Sequence, residues 1–268
     1  MKKIIISTIC LVWLISGVGA QEVTYDIIST TGKIVDKRSG KELQVGDRVV
    51  MQTELEFNSL NDRAVVLDPS KTKYFVELPK SSFVNSQLTV TSNQALAPVK
   101  SRPALITGVR GNSVLVTKGL SPKSLKEYFE IDTFTVVGAK FTLPVSRQDA
   151  RKYDLVLRYE KGNIVEQSVL TDLTIAKTDL KIEGNRISEC YVLLKDGEKL
   201  IPVTQLSLFF VDKPQLFGEF RSLLKALNQP KSDKKKVREL LRQYCTDVYG
   251  MIDRNVLEDT INDYLALK

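Results

Sequence analysis

Histidine is absent from all 268 residues. That removes Ser-His-Asp and Cys-His catalysis, His-ligated zinc and the usual general base near neutral pH. Cysteine is scarce, at three residues, and Cys10 sits inside an N-terminal apolar run. The other two, Cys190 and Cys245, cannot build a Cys₄ metal site. The phosphate-loop pattern Gly-x-x-x-x-Gly-Lys-Ser/Thr is missing, so Thr31-Gly32-Lys33 reads as a turn. Asp253-Arg254-Asn255 opens like a calcium loop, but no glycine follows at the sixth position and no glutamate at the twelfth, so Asp253 reads as a helix cap. After Ser16 no stretch is apolar enough to span a membrane. No cofactor, metal or catalytic residue is therefore expected, and the chain reads as non-enzymatic.

Acidic residues are plentiful, 32 in all, and a glycosidase needs only two of them close together. Asp172, Asp179, Glu183 and Glu189 lie among predicted strands, but Lys177 and Lys181 are interspersed as counter-charges. Solvent-facing alternation explains them more simply. The formal charge of +7 is mild. It does not mark a nucleic-acid binder.

The sharpest positive signal is N-terminal. Lys2 and Lys3 form a basic segment, Ile4 to Ser16 an apolar run, and Val18-Gly19-Ala20 a small-residue cleavage site before Gln21. Residues 1–20 are predicted to be a signal peptide, which places the mature protein in the periplasm or at the cell surface, soluble and not membrane-spanning after cleavage. In such a compartment Cys190 and Cys245 either form a disulfide stapling a helix to a sheet, or are two buried thiols.

Residues 21–97 read as a small all-β domain, sandwich or barrel-like. Val23, Tyr25 and Ile27 alternate, as do Val49, Met51, Thr53, Leu55 and Phe57, and Ser39-Gly40, Gly46-Asp47 and Asp68-Pro69 punctuate them. Residues 98–103, with Pro98 and Pro103, read as the linker. Residues 104–268 read as an α+β domain with its own core, mostly antiparallel strands capped by three C-terminal helices. A hairpin is expected over 104–118, turning at Gly111-Asn112. Ser121-Pro122 caps a short helix ending near Glu130. A central hairpin turns at Asp196-Gly197. Leu206, Leu208 and Phe210 then share one strand face and Phe209 and Val211 the other, so that strand needs cover on both sides. Beyond Pro214 the apolar period changes to that of helices, expected at 214–228, 232–249 and 254–267.

Residues 31–78, with Gly32, the Leu43-x-x-Gly46-Asp47 step and the Ala64-led strand, resemble the β domain of FecR-like proteins. Those are periplasmic signal relays with a membrane helix. This chain lacks such a helix, so the relay role does not carry over. Residues 153–265, with Leu157-Arg158-Tyr159, Leu208-Phe209-Phe210-Val211-Asp212 and Tyr249-Gly250, resemble a module of uncharacterised exported proteins of Bacteroidota type. That resemblance implies export in a diderm bacterium and no known activity.

Lys231, Lys234, Lys235, Lys236, Arg238 and Arg242 make the densest basic cluster. Cations at a helix N-terminus oppose the macrodipole, so the cluster is either a solvated face or a site for an acidic protein partner. The expected function is protein–protein contact outside the cytoplasm. A glycan or cell-wall ligand is the alternative, which a tyrosine-lined groove on the N-terminal domain would favour.

Overall fold

The computed structural model describes residues 23–50, 52–79, 88–99, 111–129, 132–161, 164–182 and 184–267. The expected signal peptide and most of the expected linker lie outside them. The chain is α+β.

The N-terminal domain is two sheets face to face. Its short strands are β1 (Thr24–Thr31), β2 (Ile34–Asp36), β3 (Lys41–Glu42), β4 (Arg48–Val50), β5 (Glu54–Phe57), β6 (Arg63–Leu67), β7 (Lys73–Glu77), β8 (Thr89–Thr91) and, after a one-turn helix α1 (Ser92–Ala95), β9 (Leu96–Pro98). They form sheets of order β4-β1-β6-β7-β9 and β3-β2-β5-β8. Tyr25, Ile27, Leu55, Phe57, Ala64, Val66 and Val76 fill the space between. Pro98 thus belongs to the last strand of this domain rather than to a linker.

Turn chemistry matters most at Gly32, whose φ is +78°. A Cβ there would lie 1.9 Å from Asp62 Oδ1, and Asp62 is buried, accepting from the Ser59 backbone N–H and hydroxyl. Gly32→Ala is therefore expected to lower stability by about 1–3 kcal/mol, combining positive-φ strain with a displaced turn. A denaturant midpoint unchanged from the wild type would refute this.

The C-terminal domain starts with α2 (Gly111–Lys118) and α3 (Pro122–Tyr128). The expected hairpin over 104–118 is overturned in its second arm: Val114 and Leu115 are helical and buried, and Leu115 packs into the main core, so tertiary burial overrides local β preference. The first arm lies outside the described residues. Ser121 caps α3 as expected, accepting from the Ser124 N–H. Next come β10 (Thr133–Val137), β11 (Lys140–Thr142), α4 (Arg147–Lys152), β12 (Tyr153–Lys161), β13 (Ile164–Leu170), β14 (Thr174–Ala176), β15 (Arg186–Asp196) and β16 (Lys199–Val211). Helices α5 (Lys213–Ala226) and α6 (Lys234–Tyr249), strand β17 (Met251–Ile252) and helix α7 (Arg254–Ala266) complete the chain.

The main sheet has the order β13-β12-β15-β16-β10-β17, and β10 runs parallel to both β16 and β17. The central hairpin turns one residue later than expected. Asp196 pairs with Lys199, leaving Gly197-Glu198 as the loop. Gly197 takes positive φ at the first central position, as a type II′ turn requires. Pro202 is tolerated because the β15–β16 register shifts beside it, between Val192 and Leu193.

Leu206, Leu208 and Phe210 enter one core with Leu155, Leu157 and Leu125, while Phe209 and Val211 enter another. The second core holds Leu216, Phe220 and Leu223 of α5 and Val237, Leu241, Tyr244 and Cys245 of α6. It also takes Ile28 of β1 and Val65 and Leu67 of β6. The expectation of separate cores is corrected here. Strand β6 is apolar on both faces, Ala64 and Val66 turned inward and Val65 and Leu67 turned to the helices. The C-terminal helices share one core with an N-terminal sheet and the main sheet.

Candidate functional site

The helix layer carries a buried polar node. Glu219, on the inner face of α5, has no solvent exposure. Its carboxyl accepts from Ser29 Oγ of β1 at 2.7 Å, Tyr249 Oη at 2.7 Å, Tyr244 Oη at 3.0 Å and Gln215 Nε2 at 3.0 Å. Burial raises its pKa above the usual carboxylate value, and these hydrogen bonds oppose that rise. Burial, reinforced by the nearby Glu219, pushes both phenols well above their ordinary range. Alongside, Lys73 of β7 pairs with Asp247 of α6. Arg63 of β6 donates to the Val248 carbonyl at 3.1 Å and stacks over Phe75 and Phe209. A second node lies across the main sheet, where Tyr128 of α3 donates to Asp253, the cap of α7. Both nodes are sealed. They join elements that are far apart in the sequence.

Three members of the expected basic cluster have intramolecular partners. Arg242 makes two hydrogen bonds to Glu258 of α7, at 2.6 and 2.7 Å, and Arg238 pairs with the same carboxylate at 3.2 Å. These contacts hold the Glu258 carboxyl below its usual pKa. Lys231 donates to the Leu267 carbonyl and lies over the Tyr264 ring. Lys234, Lys235 and Lys236 are exposed in the first turn of α6, whose cap is Asp233. Half of the cluster therefore clamps α6 to the chain's last helix.

Cys190 and Cys245 are free thiols in different cores on opposite sides of the main sheet, which corrects the stapling disulfide. Burial pushes Cys190 up to about 12 and Cys245 well above the ordinary thiol range. Native protein is therefore expected to resist thiol reagents at neutral pH, while denatured, unreduced mature protein yields two reactive thiols. Labelling of the native state within minutes would contradict this placement.

The tyrosine-lined groove that would favour a glycan ligand is not found among the grooves of the N-terminal domain's described residues. Tyr25 and Tyr74 pack edge to face on each other, and the groove on that domain is lined by Lys33, Val35, Glu56, Phe57, Asn58 and Leu88.

The chemistry left at the surface lies on the far end of the main sheet. Strand β13 is its outer strand, and among the described residues it pairs only with β12. Three of its apolar side chains stand open: Ile164 is 64% exposed, Val165 61% and Val169 47%. Val165, Gln167 and Val169 share a face with Arg158 of β12 and Tyr191 of β15, because Arg158 lies opposite both Gln167 and Tyr191. Tyr191 is 46% exposed. A shallow groove of about 340 Å³ runs along this face past Arg158, Tyr191, Leu193, Pro202 and Thr204. At Thr204 it meets a larger groove of about 740 Å³ edged by Lys118, Lys123 and Lys126 over Phe129.

Sequence reading found β13 as a hairpin arm but missed its position, because edge status depends on the sheet order and not on local pattern. Among the described residues no group of acidic, cysteine or histidine side chains is placed to hold a metal ion, and no helix is long and apolar enough to cross a membrane. The arrangement is that of an α+β protein with buried polar joints and, among the described residues, an apolar outer strand at β13. Compared with known proteins, no family model matches the chain, and neither a curated protein nor a solved structure is similar to it.

Proposed function

We propose that this is an exported, non-catalytic protein that works by protein–protein contact in the periplasm or at the cell surface, with β13 and its adjoining face as the contact. The observation that carries this reading is the open edge. Strand β13 pairs in register with β12 on one side, and on the other no strand among the described residues joins it, so the outward N–H and C=O groups of alternate residues face a position a further strand could take. Natural edge strands are commonly blunted by charged side chains, by proline or by a bulge. The run Ile164-Val165-Glu166-Gln167-Ser168-Val169-Leu170 has no proline or bulge, and its one charge, Glu166, is paired with Lys181. Strand addition takes its affinity from main-chain hydrogen bonds and its selectivity from alternate side chains. Here Val165, Gln167 and Val169 supply the alternate set. The signal-peptide pattern at 1–20 supports export.

The test is in-cell crosslinking of the tagged protein with a photoreactive residue at position 165, followed by mass spectrometry. A dominant crosslinked protein species supports the reading. Background capture only, equal to that from a probe at an exposed position away from the main sheet, such as 38, would sink it.

A further inference from the structure

We infer that the partner of β13 is a second copy of this chain, joined antiparallel about a two-fold axis through Gln167. This rests on the reading of β13 as the contact surface and names its occupant.

The inference follows from register. A two-fold axis normal to a continuous antiparallel sheet must pass beside a residue that faces itself, since facing residues share a side of the sheet. Three centres near the middle of β13 are available. Centred on Glu166, the carboxylates of two chains stand opposite each other, which is destabilising. Centred on Ser168, the exposed Val169 faces the amide of Gln167 and Glu166 faces the apolar Leu170. Centred on Gln167, Val165 faces Val169 twice, Ile164 faces Leu170, Glu166 faces Ser168, and two Gln167 amides meet at the axis. Only this register covers the two valines with each other and keeps like charges apart. Glu166 also brings its own counter-ion, Lys181 at 3.1 Å. The Val165–Gln167–Val169 face and the Tyr191 face would then continue across the junction, and two six-stranded sheets would merge into one.

The test uses the purified mature chain in sedimentation and light-scattering measurements over a concentration series. The wild type is expected to associate reversibly to a dimer. Val165→Lys with Val169→Lys sets lysine against lysine twice and should weaken the dimer at least about tenfold. Val165→Lys with Val169→Glu sets opposite charges together in this register alone and should restore it. Both pairs of substitutions are on exposed side chains, so an unchanged melting profile separates loss of pairing from loss of folding. Gln167→Cys should form a disulfide-linked dimer on mild oxidation, because facing strand residues lie within disulfide reach and the native thiols are buried. A wild type that stays monomeric at every concentration, or a charge-swapped variant no more dimeric than the double lysine variant, overturns the inference. In that case capture of a different protein by the probe at position 165 would leave the contact surface standing, and empty capture would remove both.

Discussion

Glu219→Leu is expected to cost several kcal/mol, since each buried donor left without its partner costs about 1–3 kcal/mol. The loss is large because the leucine leaves Ser29, Gln215, Tyr244 and Tyr249 donors turned into an apolar space. Glu219→Gln keeps the shape and an acceptor oxygen and should cost much less. The same pair of proteins reports on ionisation. Glu219 has a folded pKa above its unfolded value of about 4.5, so the native state holds its proton more tightly. Its favourable contribution is complete below pH 4.5 and is lost as pH rises through the folded pKa. The stability of wild type relative to Glu219→Gln should therefore decline as pH rises from 4.5, as measured by chemical denaturation at a series of pH values. A difference that is flat, or that grows with pH, would show that the four hydrogen bonds outweigh burial and that the carboxylate is ionised throughout.

The second large effect concerns the domains. A fragment comprising residues 21–99 is expected not to fold as a stable monomer, although it contains every described strand of the N-terminal sandwich. Its core between the sheets is intact, but Ile28, Val65 and Leu67, buried against α5 and α6 in the whole chain, would face water. Each fully buried large aliphatic side chain is worth about 1.5–3 kcal/mol. Losing several is comparable with the whole stability of a small domain. The fragment should bind hydrophobic dyes and self-associate, whereas the intact chain should unfold in a single transition. A soluble fragment with its own cooperative melt would overturn this.

The sequence carried more of this architecture than of its surfaces. The two faces of β16 were legible because strand alternation is local: Leu206, Leu208 and Phe210 go one way, Phe209 and Val211 the other. The C-terminal helices were legible to within two residues for the same reason. Val114-Leu115-Val116 misled because β-branched residues lean toward strands until tertiary packing decides otherwise. The four-residue apolar run of β6 held an unread signal, since such a run needs cover on both faces and only a second layer could provide it. Nothing local could reveal Glu219, whose appearance is that of an ordinary surface glutamate on an amphipathic helix. Arg238 and Arg242 looked free because Glu258 lies on the next helix.

The layer of C-terminal helices also sets the order in which the molecule can be completed. Ser29 meets Glu219 across 190 positions, Arg63 meets Val248 across 185 and Lys73 meets Asp247 across 174. Contacts of such span form slowly, because a long loop must close before any of them is rewarded. A chain emerging from its N-terminus cannot complete the first sandwich early, because one apolar side of it stays uncovered until nearly the last residue has arrived. For an exported chain this interval would be spent outside the cytoplasm, where the exposed face of β1 and β6 is the surface that a holding chaperone would have to shield. Premature termination anywhere within α5 or α6 would therefore disable the beginning of the molecule as well as its end.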